Sequence, residues 1–198
     1  MPRDQAVGGR VAFLSAVEVR TFEGRSPVRP SLVSHGSWKM RIGLGYDSHR
    51  FVEGRPLLLA GVEIPDSSGL EGHSDADAVA HAVSDAILGA AAAGDIGTHF
   101  PPTDESWRNA DSMGLLGRVV GIAGEAGYRV GNVDVTVICE RPKIAPHKAA
   151  MAAGLAAVLQ VGVGDVSIKG KTNETMGWEG RSEGIAVQAV VLLFSNEE

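Results

Sequence analysis

The 198-residue chain has a single cysteine, Cys139, which excludes an internal disulfide framework and any zinc module built from cysteines. Aromatic residues make up only 5%, so the core must be small and aliphatic. No run approaches the ~18 apolar residues of a membrane span. Lysine and arginine are outnumbered 18 to 24, a net charge of −6, which argues against nucleic acid as the main partner. No GxxxxGK[ST] phosphate loop occurs. With 44% hydrophobic and 21% charged residues, the balance is that of a globular chain rather than a disordered one. Glycine is abundant: its 26 residues are about twice the usual share. Much backbone must therefore turn tightly or approach something closely.

Charge is unevenly spread. Residues 1–39 hold six basic groups (Arg3, Arg10, Arg20, Arg25, Arg29, Lys39) and three acids (Asp4, Glu18, Glu23). Residues 40–198 hold 12 basic groups and 21 acids. The first apolar run, Val11 to Val17, is short for a secretory segment and is cut off by Glu18 and Arg20. Three acids also weaken a transit-peptide reading. Patterned sequence begins at Met40. The expectation is a poorly ordered extension over 1–39, from a start codon placed upstream of Met40 or a weak targeting segment. One folded domain over 40–198 then follows. The expected location is a bacterial cytoplasm, or a plastid if the extension is a transit peptide.

Met40–Asp47 reads as a strand, with two short strands around Gly61. Ser74–Ala93 reads as a helix that Ser74 or Asp75 can cap, with acids in its first turn and Gly94 to end it. Asp111–Gly127 and Ala145–Val161 carry apolar residues at helical spacing. Asn132–Glu140 alternates, with Val133, Val135 and Val137 on one face, so it is predicted as a strand. Val166–Lys171 and Ile185–Phe194 complete the strands, separated by a glycine-punctuated loop over 173–184. This order predicts an α/β fold, an α+β sandwich: a mixed sheet of about four main strands with helices packed on one face.

Asp47 and His49 lie two apart at the end of the first strand, so both side chains point to the same side. A carboxylate and an imidazole aimed together suit zinc or a related ion, although Asp-x-His is also a common chance pairing. His81 stands among small apolar neighbours that leave its ring room to reach a partner. Asp77 and Asp85 flank it one helical turn away, and either could orient the ring; an ordinary exposed face with acid–histidine pairs explains those acids equally well. Asp47, His49 and His81 would leave a fourth position open, as in catalytic rather than structural zinc sites.

Three further stretches carry more chemistry than scaffolding needs. Gly72-His73-Ser74-Asp75 sits at a predicted helix start, where an anion or plain capping are both served. Gly94-Asp95-Ile96-Gly97 precedes Phe100-Pro101-Pro102 and offers an acid expected to be buried, or simply a helix stop. Lys171-Thr172-Asn173-Glu174 leads to Trp178 and Arg181, a set suited to phosphates and Mg²⁺ or to a polar hairpin loop. Pro142-Lys143-Ile144-Ala145 follows a strand, and can frame a nucleobase or merely enter a helix.

These segments together resemble the 2-C-methyl-D-erythritol 2,4-cyclodiphosphate synthase family of non-mevalonate isoprenoid biosynthesis. The resemblance runs from Met40 to about Phe194. RIGLGYDSHRF (41–51), LEGHSDADAVAHAVSDAILGAAAAGDIGTHFP (70–101), ADS (110–112), GNVDVTVICERPKIAPH (131–147) and KTNETMGWEGRSEGIA (171–186) carry it.

The resemblance implies an intramolecular phosphoryl transfer. The 2-phosphate of 4-diphosphocytidyl-2-C-methyl-D-erythritol 2-phosphate attacks the β-phosphorus, the cyclic diphosphate forms and CMP leaves. It implies a zinc-type ion on Asp47, His49 and His81, and Mg²⁺ or Mn²⁺ on Glu174. His73 and Ser74 would lie by the phosphate, Asp95 and Gly97 on substrate hydroxyls, and Thr172 on phosphate. Pro142, Lys143, Ile144 and Ala145, with Lys171 and Asn173, would surround the cytidine diphosphate part; Trp178 is also counted as substrate-binding. It further implies a homotrimer with sites between subunits. An isoprenoid diphosphate would bind on the trimer axis, where Arg181 and Glu183 match the mouth. Pro102 departs from the family pattern, standing where many members carry an acid. The main rival is a metal-dependent phosphoester hydrolase using the same three ligands, which differs in its product.

Overall fold

The structure, a computed structural model, describes residues 39–196, so the expected extension, Lys39 apart, lies outside the described residues. A sheet of order β4-β1-β7-β5-β6 forms from β4 (Gly69–Leu70), β1 (Met40–Val52), β7 (Gly184–Ser195), β5 (Tyr128–Ile138) and β6 (Val166–Lys171). The β5–β6 pair is parallel and the others antiparallel, so the sheet is mixed as expected. The fifth strand, β4, is only two residues long. A separate hairpin pairs β2 (Leu57–Leu59) with β3 (Val62–Ile64).

Alternation decides which side of the sheet is covered. Val133, Val135 and Val137 are fully buried, while the residues between them face outward. The central strand β7 buries Ile185, Val187, Ala189, Val191 and Leu193. On the covered face lie α1 (Ala78–Ala91), α3 (Ser112–Glu125) and α4 (Lys148–Leu159). The outer face of β1 leaves Met40, Ile42, Leu44 and Tyr46 exposed. Two four-residue helices, α2 (Ile96–His99) and α5 (Gly177–Gly180), belong to the connecting loops. Among the described residues no helix is long and apolar enough to cross a membrane.

Several element boundaries differ from expectation. The first strand continues five residues past Asp47, which puts His49 inside it. The long helix begins at Ala78 rather than Ser74, and its first turn holds no acid. Its cap is Asp77, fully buried, which accepts hydrogen bonds from the N–H groups of Val79 and Ala80. The same carboxylate accepts from Ala60 and Gly61 across the fold, at 2.9 and 2.7 Å. Those tertiary partners, invisible to local pattern, choose Asp77 over the other capping-type residues nearby. The predicted 145–161 helix is a 3₁₀ turn over Ala145–His147 followed by α4.

Gly43 and Gly45 bring α1 onto β1. A Cβ at Gly43 would stand 1.8 Å from the Ala86 carbonyl oxygen, and one at Gly45 1.8 Å from that of Ala82. Only residues without a side chain let helix and strand backbones approach this closely. The next two inner-face positions of β1 are Asp47 and His49, so the glycine contact delivers them to the helix surface that bears His81.

Candidate metal centre and adjoining clefts

Asp47 Oδ2 lies 2.9 Å from His49 Nε2 and 2.9 Å from His81 Nδ1. The two ring nitrogens are 3.3 Å apart. One ligand atom from each residue falls within 4.8 Å of the others, a spread that a single ion can gather. Burial alone would raise the Asp47 carboxyl, but hydrogen bonds and charge from His49 and His81 hold it well below the carboxylate range. Burial lowers His49, and the Asp47 hydrogen bond and charge outweigh it, so its pKa is raised. Two imidazoles crowded on one ionised carboxylate are a donor set that fits a divalent cation.

The far ring nitrogens are also held. His49 Nδ1 donates to the Glu71 carbonyl at 2.6 Å, leaving Nε2 free to ligate. His81 Nε2 lies 2.9 Å from Ser112 Oγ and 3.1 Å from Ser74 Oγ. Neither acid expected to orient His81 does so. Asp77 is consumed by capping, and Asp85 instead accepts from the Ile96 N–H at 2.8 Å, tying α1 to the loop that holds Asp95.

A cavity of about 260 Å³ opens beside the three ligands. His49, His73, Ser74 and His81 line it together with Gly97 and the apolar side chains of Phe100, Pro102 and Trp107. Trp107 packs edge-on against Phe100 at 5.1 Å and carries the Arg118 guanidinium on its face. Asp95, expected to be buried, is exposed and caps α2, accepting from the Thr98 N–H and hydroxyl. Those hydrogen bonds hold its carboxyl below the usual range. Asp104, two residues past Pro102, caps a 3₁₀ turn by accepting from the Ser106 N–H at 2.9 Å.

The other sequence-predicted residues lie elsewhere. Cys139, Pro142–Ala145, Lys171 and Thr172 line a second depression of about 160 Å³, which shares no residue with the first. Its rim loop is held by Glu140, whose carboxylate accepts from the N–H groups of Asn173 and Thr175 at 3.0 Å each. Glu174 and Thr175 both adopt positive φ, 50° and 62°. Thr172 Oγ1 donates to Glu174 at 3.1 Å. Trp178 borders a third depression with His49, and Arg181 pairs with Glu183 at 2.7 Å on the surface. Ser112 and Glu140 escaped sequence reasoning as functional groups, and Asp75 was read only as a cap or part of an anion site. Ser112 and Glu140 stood in the segments at 110–112 and 131–147, quoted for the resemblance without a role of their own.

A mixed sheet with one covered face, and an Asp-His-His cluster able to hold a metal ion, built from the second half of β1 and from α1, place the chain among α/β proteins with a candidate metal site. The YgbB family model matches residues 40–194, and the chain belongs to that family. A Symbiobacterium thermophilum relative named 2-C-methyl-D-erythritol 2,4-cyclodiphosphate synthase is 61% identical, over 78% of this chain and 98% of its own length. A bifunctional enzyme IspD/IspF from Novosphingobium aromaticivorans is 50% identical over 94% of this chain and 50% of its own. That match runs into the residues ahead of Met40. A solved 2C-methyl-D-erythritol-2,4-cyclodiphosphate synthase in a CDP-bound form is 37% identical, with a TM-score of 0.71 over 77% of this chain and 99% of that one.

Proposed function

We infer that the chain acts as a cyclodiphosphate synthase, closing 4-diphosphocytidyl-2-C-methyl-D-erythritol 2-phosphate to the 2,4-cyclodiphosphate with release of CMP. The observation that carries this is the convergence of Asp47, His49 and His81, the two histidines lining a cavity, in a chain of this family. A zinc-type ion on those residues, and Mg²⁺ or Mn²⁺ on Glu174, would supply positive charge to the phosphoryl oxygens.

The chain's own residues position and shield. His73 lies beside the cavity and is assigned to the transferring phosphate. Thr172 and Lys171 present a hydroxyl and a cation to the diphosphate. Ser74, Gly97 and Asp95 face the methylerythritol part. Pro142, Lys143, Ile144, Ala145 and Asn173 hold the cytidine end, with Trp178 closing the site. The attack is intramolecular, so fixing two phosphate groups in line provides most of the rate. The apolar wall of Phe100, Pro102 and Trp107 excludes water, which strengthens every charge contact and disfavours hydrolysis.

Two observations support a homotrimer with sites completed by the neighbouring subunit. The metal cavity and the proposed cytidine depression share no lining residue within one chain. Ile42 and Leu44 are 74% and 69% exposed on the open face of the sheet, an apolar stripe that self-association would cover. An isoprenoid diphosphate at the axis, near Arg181 and Glu183, is part of the same reading.

Incubation with the diphosphocytidyl substrate, zinc and Mg²⁺ tests the proposal by product mass. The expected products are CMP and the cyclic diphosphate. A ring-opened phosphate would overturn it in favour of hydrolysis.

A further inference from the structure

We propose that Ser112 and Asp75 are positioning residues that hold the outer ring nitrogen of His81, Nε2, as a donor and so present Nδ1 as the metal-binding nitrogen. The inference rests on the reading of Asp47, His49 and His81 as a metal site. It follows from a count of hydrogens. Ser112 is 1% exposed and sits at the N-terminus of α3, whose cap is Asp111. Its hydroxyl has one hydrogen to give. Asp75 receives it: Ser112 Oγ donates to Asp75 Oδ1, and the Ser112 N–H donates to Asp75 Oδ2 at 3.1 Å. A carboxylate accepts only, so the direction of this step is set.

With its hydrogen committed, Ser112 Oγ can only accept from His81 Nε2, 2.9 Å away. Nε2 therefore carries a proton, and Nδ1 is the nitrogen left to give up any proton it shares with Asp47 when an ion binds. Nδ1 is the nitrogen 2.9 Å from Asp47 Oδ2 and 3.3 Å from His49 Nε2. Ser74 reinforces the arrangement. Its Oγ accepts from the Ala76 N–H at 3.1 Å and lies 3.2 Å from Ser112 Oγ, whose remaining lone pair can take the Ser74 hydrogen. His49 is set in the mirror sense by the Glu71 carbonyl. Each imidazole thus has its outer nitrogen engaged by a fixed acceptor and its inner nitrogen aimed at the same point. Partners of this kind typically account for about 10–100-fold in metal affinity.

Zinc affinity by chelator competition, and histidine ring ¹⁵N spectra of the zinc-free full chain, test the proposal. Ser112→Ala and Asp75→Ala are expected to weaken zinc binding about 10–100-fold. They are also expected to shift the His81 Nε2 resonance, which loses its fixed acceptor. Asp75→Asn, which keeps one acceptor oxygen where the carboxylate uses two, is expected to fall between Asp75→Ala and the parent in both readouts. A purely structural role would lower thermal stability without moving the Nε2 resonance. An unchanged Nε2 resonance and zinc affinity within about twofold in both alanine variants would overturn the proposal. Failure of the unsubstituted chain to bind zinc would overturn the metal reading itself, a result visible before any variant is made.

Discussion

His81 holds its place through contacts at both ends of the ring, Asp47 on one side and Ser112 on the other. Replacing it with alanine removes one of three ligands while leaving the apolar core intact. His81→Ala is expected to lose zinc by more than the roughly 100-fold that an outer partner costs. Turnover should go with it, and the circular dichroism spectrum should not change. Retained zinc with full turnover would show that the metal lies elsewhere. Cys139 behaves oppositely, as a buried group outside the chemistry. Burial pushes its thiol from the ordinary 9.0 up to about 11. The neutral form is therefore favoured in the fold. This contributes stability that is fully present below pH 9 and lost as pH rises from 9 to 11, because the unfolded thiol ionises first. Alkylation at pH 8 should be roughly 100-fold slower in the native chain than in urea, a ratio that mass spectrometry reads directly.

At the scale of elements, the site exists because α1 rests on backbone rather than on side chains. Gly45→Ala would drive a methyl group into the Ala82 carbonyl. The expected cost is about 1–3 kcal/mol in urea unfolding. Zinc affinity should fall as well, since the same displacement carries His81 away from Asp47. A variant as stable and as tight as the parent would mean that the helix has slack. The loop over 172–176 is held by one carboxylate. Glu140→Ala frees the Asn173 and Thr175 N–H groups and is expected to raise KM several-fold with zinc affinity unchanged. Glu140→Gln, which keeps an acceptor, should recover most of the loss.

Much of this level was legible in sequence. Alternation marked β5, and alanine periodicity marked α1 and α4. What was missed has a common cause. The end of β1 was hidden because its outer residues past Asp47, Ser48 and Arg50, are polar. The start of α1 was ambiguous among Ser74, Asp75 and Asp77 until Ala60 and Gly61 engaged the last of them. His81 itself was visible as a histidine among alanines, whereas the residue that holds its far nitrogen, Ser112, comes from α3, 31 residues away.

For the molecule as a whole, the open face of the sheet is the unfinished surface. A carboxylate on that face would have to be desolvated in any assembly that covers it. Leu44→Asp is therefore expected to yield monomers by sedimentation that still bind zinc but turn over little substrate, since the proposed site needs a second chain. An active monomer would remove the case for shared sites.

By itself the sequence determined the period of each main element, the grouping of Asp47 and His49 on one side of a strand, and the list of polar residues unneeded for a core. These are local facts, set by spacing of two and 3.6 and by the chemistry of each side chain. Only the tertiary structure decided which polar groups meet. It put His81 on Asp47 through the glycine contact of α1 with β1. It spent Asp77 and Asp85 on anchoring, and it brought Ser112 and Asp75 to the far side of the ring. Hydrogen-bond partners distant in the chain are selected by packing, and packing is a property of the folded whole.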